Sequence, residues 1–211
     1  MKRKIILTFI ETYLPGYRAG GPLRTIVNMV ENLGDEIEFL IITRDRDLGV
    51  SVPYNNVRID QWDGVGKAQV FYASPSMFSA TGFKKILNST PHDVLYLNSF
   101  FNPHSTGVLL LLRRLGLIKT RPIVIAPRGE FSPGALCIKA TKKRIYIMVA
   151  QLLRMYHGLI WQASSEYEAQ DIRNVMGFIA RDILVAPDLL STAPVVTKAD
   201  SRIEKDKDRG K

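Results

Sequence analysis

Short, nearly unbroken apolar runs recur along the chain at residues 5–10, 37–43, 70–73, 94–97, 123–126, 159–163 and 183–186. A strand with one wet face alternates apolar and polar side chains, whereas a run without alternation has to be covered on both faces. Between most of these runs lie stretches with helical periodicity. In the first, Leu23, Ile26, Val27, Val30 and Leu33 fall on one face and Gly34 follows as a candidate C-cap. Buried strands alternating with helices predict an α/β fold: a Rossmann-like, doubly wound, mostly parallel sheet with helices on both faces. With 211 residues, 46% of them hydrophobic, the chain can fill one such core. Residues 1–193 are the expected domain, and 194–211 a charged, flexible tail or linker start.

Helix starts carry a second regularity. Gly21-Pro22, Ser74-Pro75, Asn102-Pro103 and Ser132-Pro133 each set a capping residue before a proline suited to the first helical position. Ser165 and Glu168 have capping-box spacing. Most of these starts follow a strand, so their loops are expected together at the carboxyl edge of the sheet, where such folds bind ligands. Residues 44–69 break the rhythm and read as a surface excursion or hairpin without assigned chemistry.

Charge and cysteine content narrow the function classes. The net charge of +9 favours an anionic partner. No zinc-ligand spacing, RNA-binding aromatic signature or recognition-helix pattern accompanies it, so neither a metal site nor specific nucleic-acid binding is expected. Cys137 is the single cysteine, so no internal disulfide is needed; it reads as a small buried apolar residue, and the cytoplasm as the compartment. Lys2, Arg3 and Lys4 before an apolar run imitate a signal peptide, but Glu11 ends that run early, and it reads as a first buried strand.

Three loops attract attention as sites. Gly20 and Gly21 stand where a strand passes into a helix, so missing Cβ atoms and helix N–H groups would let an anion approach, with Arg18 adding a charged fork. A tight turn alone also accounts for the glycines, and the spacing is not the dinucleotide fingerprint G-x-G-x-x-G. The strand at 123–126 delivers Arg128, Gly129 and Glu130, followed by Lys139 and Lys143 at helical i, i+4 spacing. Arg128 suits a phosphate or carboxylate; Glu130 suits a sugar hydroxyl or the orientation of Arg128. The loop after residues 94–97 offers Asn98, Ser99 and His104, the last a candidate catalytic base or simply a residue of a helix's first turn. Glu166 and Glu168 read as capping and dipole-complementing residues.

The ordered motifs YRAGGPLRTIVNMVENL, PIVIAPRGEFSPGAL with KATKKR, and WQASSEYEAQDIRNVMG followed by ILVAPD resemble the amino-terminal domain of family 4 retaining glycosyltransferases, across residues 3–190. That resemblance implies one half of the two-domain GT-B fold. It implies an acceptor-binding role here, a carboxyl-terminal domain that holds the nucleotide sugar as co-substrate, and a glycine loop at Gly20 and Gly21 that approaches the donor diphosphate. It also implies no cofactor and no metal ion. Several family members build capsular polysaccharide, O-antigen or glycolipid, so the expected acceptor is a glycan or lipid-linked sugar. Many relatives have histidine where Arg128 stands, so a histidine role does not carry over; some branches have PRG there. The family's second domain, with its E-x7-E pair, does not follow residue 190, so a donor-binding partner is expected to be required for activity.

Two other readings fit the residues. One is a non-catalytic, regulatory module that binds a glycan or phosphate. The other is a peripheral membrane protein, because Lys139, Lys142, Lys143 and Arg144 adjoin Ile145, Met148, Val149 and Leu152. An ordinary helix packing its apolar side on the sheet accounts for the same segment. Donor sugar, acceptor identity and oligomeric state are not encoded in these features.

Overall fold

Leu7 and Phe9 enter the core on one face of the first strand, and Ile10 enters a second core on the other face. That two-sided burial, repeated along the chain, is why the apolar runs are continuous. The computed structural model describes residues 2–119 and 121–191. The strands are β1 (Lys4–Phe9), β2 (Ile37–Arg44), β3 (Trp62–Val65), β4 (Ala68–Ala73), β5 (Val94–Asn98), β6 (Ile123–Ala126), β7 (Ile160–Ala163) and β8 (Asp182–Val185). The helices are α1 (Gly21–Leu33), α2 (Ala80–Ser89), α3 (Val108–Arg114), α4 (Pro133–Cys137), α5 (Ala140–Leu152) and α6 (Glu166–Met176).

The strands form one eight-stranded sheet in the order β3-β4-β2-β1-β5-β6-β7-β8. Every pairing is parallel except that of β3 with β4. The fold class expected from the sequence is therefore the one found. Strand order reverses between β1 and β5: α1 carries the chain from β1 to β2 on one side, while β5 leads to β6 on the other. Such a reversal leaves a crevice at the carboxyl ends of the two central strands.

Several local expectations need correction. Ser74-Pro75 does not begin a helix. The Ser74 N–H and hydroxyl both donate to the Asp60 carboxylate at 2.8 Å, anchoring the 44–69 excursion. The chain then turns back on itself before Ser79 caps α2 by accepting from the Gly82 N–H at 3.2 Å. A Cβ at Gly82 would lie 2.1 Å from the Met77 carbonyl oxygen, so that fold-back depends on glycine. Lys139 and Lys143 do not share a continuous helix. Lys139, with φ +56°, is the left-handed hinge between α4 and α5, and the Lys143 ammonium turns inward to donate to the Ala135 carbonyl at 2.7 Å. Cys137 is exposed rather than buried. The hairpin expected within 44–69 is β3 with β4, joined by Gly66 and Lys67. The tail expected over 194–211 lies outside the described residues.

Candidate functional site

The crevice at the strand-order reversal is built by the loops after β1, β5 and β6. After β1 the chain passes the buried Tyr13, and at Gly16 a Cβ would meet the Tyr54 hydroxyl at 2.3 Å and Thr12 Cγ2 at 2.5 Å. Gly20 then caps α1 with φ +62° and ψ −128°, a conformation that essentially requires glycine. Both Gly20 and Gly21 are exposed, and a Cβ on either would meet nothing within 4 Å. Pro22 has no N–H, so the Gly21 and Leu23 amides precede the first helical bond, from the Arg24 N–H to the Gly20 carbonyl at 3.2 Å. These glycines face open space, and the tight-turn explanation accounts for Gly16 better than for Gly20 or Gly21. Arg18 is exposed beside the Tyr17 ring, with its guanidinium carbon 5.9 Å from the centroid.

Asn98, buried at the end of β5, ties this loop to the next. Its amide donates to the Pro22 carbonyl at 3.3 Å, and its Oδ1 accepts from Arg128 Nε at 2.9 Å. The structure thus joins Pro22, next to Gly21, with Asn98 and Arg128. Arg128 does not present an open fork, however. Its guanidinium also donates to the Tyr96 hydroxyl and the Asp188 carboxylate, and its side chain is 13% exposed. Burial pushes the Tyr96 phenol up to about 12, with Arg128 pulling the other way. Tyr96 therefore stays neutral and passes its own hydrogen to Gln162 Oε1 at 2.7 Å.

Glu130 neither orients Arg128 nor keeps a free carboxylate. It accepts from the Ser99 hydroxyl at 2.7 Å and from the Phe100 and Phe101 N–H groups at 2.5 and 3.1 Å. It holds the β5 loop, including Ser99 at φ +116°, against the β6 loop. Gly129, at φ +72°, donates its N–H to Glu168 Oε1 at 2.6 Å. The other Glu168 oxygen accepts from the N–H and hydroxyl of Ser164 at 2.7 and 2.6 Å. Ser165 caps α6 as expected, accepting from the Glu168 N–H at 3.2 Å. The Glu168 carboxylate does not reach back to complete a capping box; it fastens the β7 loop to the β6 loop.

Residues 186–190 complete the crevice. They leave β8 and cross the carboxyl edge, pairing Asp188 with Arg128, and reach α1, where Asn28 and Asn32 amides donate to the Leu189 and Leu190 carbonyls at 2.9 and 3.0 Å. A separate cavity of about 270 Å³ opens at the carboxyl ends of β1, β2 and β4. Glu11, Arg44, Arg46, Phe78 and His104 line it. Arg46 is held by Asp45 at 2.7 Å. Arg44 and His104 have no side-chain partner among the described residues, so both remain available to a ligand. Sequence reasoning placed His104 at this edge but missed Glu11 and Arg44, because no local pattern marks a residue at or just past the end of a strand as cavity-lining. Lys139 is exposed outside this group, and Lys143 lies over the Phe101 ring at 4.7 Å. Among the described residues no three His, Cys, Asp or Glu side chains gather as metal ligands.

No protein-family model and no curated protein matches the chain. Among solved structures it is similar to a trehalose-6-phosphate synthase, OtsA, with a TM-score of 0.59 and 11% identity over 97% of this chain and 55% of that one. An α,α-trehalose 6-phosphate synthase from Burkholderia multivorans aligns with a TM-score of 0.48 and 11% identity, over 84% of this chain and 43% of that one. The chain spans about half the length of these structures. At 11% identity the first similarity establishes a shared Rossmann-like fold.

Proposed function

We propose that the chain is the acceptor-side, Rossmann-like half of a GT-B glycosyltransferase of the family 4 kind. It would act in transfer of a sugar from a nucleotide sugar to a glycan or lipid-linked acceptor of the polysaccharide type. The observation that carries this reading is the open helix start at Gly20 and Gly21, set at the strand-order reversal and tied to Asn98 through the Pro22 carbonyl, with the 270 Å³ cavity on the same carboxyl edge. The fold shared with trehalose-6-phosphate synthase supports it.

In this reaction the bond between the sugar's anomeric carbon and a donor phosphate oxygen breaks, and an acceptor hydroxyl oxygen bonds to that carbon. The departing diphosphate keeps the electron pair. The Gly21 and Leu23 amides, the positive end of α1 and Arg18 oppose its growing charge. The cavity holds the acceptor, with Arg44 positioned for an anionic group and His104 as the candidate to take the hydroxyl proton. Asn98, Ser99, Gly129 and Glu130 hold the loops after β5 and β6 together and to the start of α1 or the β7 loop, while Arg128 and Asp188 fix residues 186–190 across the same edge. Exposed Lys139, between α4 and α5, is left as a contact for an extended acceptor, whereas the inward-turned Lys143 serves the α4–α5 junction.

A donor-binding half is required to hold the nucleotide and to exclude water from the reacting bond. Transfer assays with a nucleotide sugar and a lipid-linked acceptor, with and without a donor-binding half, test the reading. Product is expected only from the combination. Equal activity without this chain, or none with it, contradicts the assignment.

A further inference from the structure

Helix α5 has apolar residues on two opposite sides, and only one of them packs. Tyr146 and Ala150 turn inward, with the Tyr146 hydroxyl 3.0 Å from that of Tyr156 beneath it. On the outer side Ile145, Met148, Val149 and Leu152, at i, i+3, i+4 and i+7, are 53%, 61%, 41% and 81% exposed. This is the reverse of an ordinary sheet-packing helix, whose outer face is polar. Lys142 and Arg144 flank the outer stripe, and residues 131–165 contain no Asp or Glu.

At its carboxyl end the stripe meets a basic cavity. Arg113 and Arg114 at the end of α3, together with Arg154 and His157 just after α5, line a cavity of about 370 Å³. Arg113 and Arg114 donate to the His157 and Leu153 carbonyls at 3.0 and 3.1 Å, which fixes both guanidinium groups without neutralising them. None of the three arginines is ion-paired among the described residues. Clustering three guanidinium groups without a carboxylate costs Coulomb repulsion that an anion would remove. Exposed Leu115 follows Arg114 at the end of α3.

We infer that the α3–α5 face docks on an anionic phospholipid surface, the outer stripe of α5 entering the acyl boundary while Arg113, Arg114 and Arg154 hold headgroup phosphates. Charge selects this occupant: a second copy of the chain would bring the same cluster of uncompensated arginines against it, whereas anionic headgroups neutralise it. Apolar stripe and basic flanks are the pair of features that interfacial helices need. The inference stands apart from the proposed transferase reaction, because it is read without donor or acceptor.

Sedimentation of the full chain with phosphatidylglycerol-containing vesicles, against pure phosphatidylcholine vesicles, is the test. Salt-sensitive binding to the anionic vesicles is expected. R114Q/K142Q lowers the partition coefficient about 25-fold, at roughly fivefold per charge near the surface. I145S/L152S, both outward-facing and therefore neutral to folding by circular dichroism, also abolishes most of the binding. Equal partition to both vesicle types, or variants that bind as the parent does, overturns the inference. So does protection of the arginine cavity by free inorganic phosphate without vesicle binding, or self-association in solution that I145S/L152S alone removes.

Discussion

Glu168 is the residue whose role departs furthest from its sequence pattern. Its spacing from Ser165 marks a helix start, and that much is correct. Its carboxylate, though, is buried and receives three hydrogen bonds that span two loops of the candidate site. Leaving buried N–H groups without acceptors costs about 1–3 kcal/mol each. E168A is expected to lower unfolding free energy by about 3 kcal/mol in urea titration; a loss below about 1 kcal/mol contradicts the role. Tyr96 makes a prediction in pH. Its phenol ionises near pH 10 when unfolded and at about 12 when folded, because burial disfavours the phenolate. The folded state holds the proton more tightly, so this stabilisation is complete below pH 10 and is lost as pH rises towards 12. Across that interval Y96F is expected to lose roughly 2 kcal/mol less stability than the parent. Identical alkaline slopes would count against it. Neither network was legible in the sequence, since Glu168 and Gly129, or Arg128 and Asp188, are joined only by the packing of separate loops.

At the scale of elements, α1 is bounded by three glycines that the structure places under different constraints. Gly34 ends the helix with ordinary helical φ; its need is space, since a Cβ would lie 2.5 Å from both Lys67 Cβ and the Val30 carbonyl oxygen. Gly20 has space but an unusual backbone, and Gly21 has space within the first helical turn. G34A is expected to cost about 2 kcal/mol through steric displacement, G20A about 1–2 kcal/mol through backbone strain, and G21A less than about 0.5 kcal/mol. Thermal unfolding of the three variants checks the ranking; G21A as the most damaging would invert it. In the transfer assay that tests the proposed function, G21A is expected to lower turnover, because its methyl group occupies the approach to the helix amides. Strands and most helix caps were legible because buried runs and Ser, Asn or Gly caps are local signals. The Ser74-Pro75 start failed because Asp60, fourteen residues earlier, claims the serine. The continuous helix through Lys139 failed because Ile138 is extended and Lys139 left-handed, which breaks the helix between α4 and α5.

At the scale of the whole molecule, the proposed function rests on where the sheet changes direction. Strands β1 and β5 send their following segments to opposite sides, which sets the Gly20 loop and the Asn98 loop at the carboxyl edge where such folds bind ligands, joined by the Asn98 bond to Pro22. The strap at residues 186–190 crosses this edge and is held at both sides, by Arg128 and by the Asn28 and Asn32 amides of α1. The carboxyl-edge location was legible from loop order alone; the cavity beside His104 was not, because it forms where three strand ends converge. Backbone amide NMR during titration with a nucleoside diphosphate tests the proposed site most directly. The Gly20, Gly21 and Leu23 amides are expected to shift together and saturably, and G21A to weaken that response. Shifts confined to other surfaces, with these three amides unmoved, would contradict the assignment of this crevice.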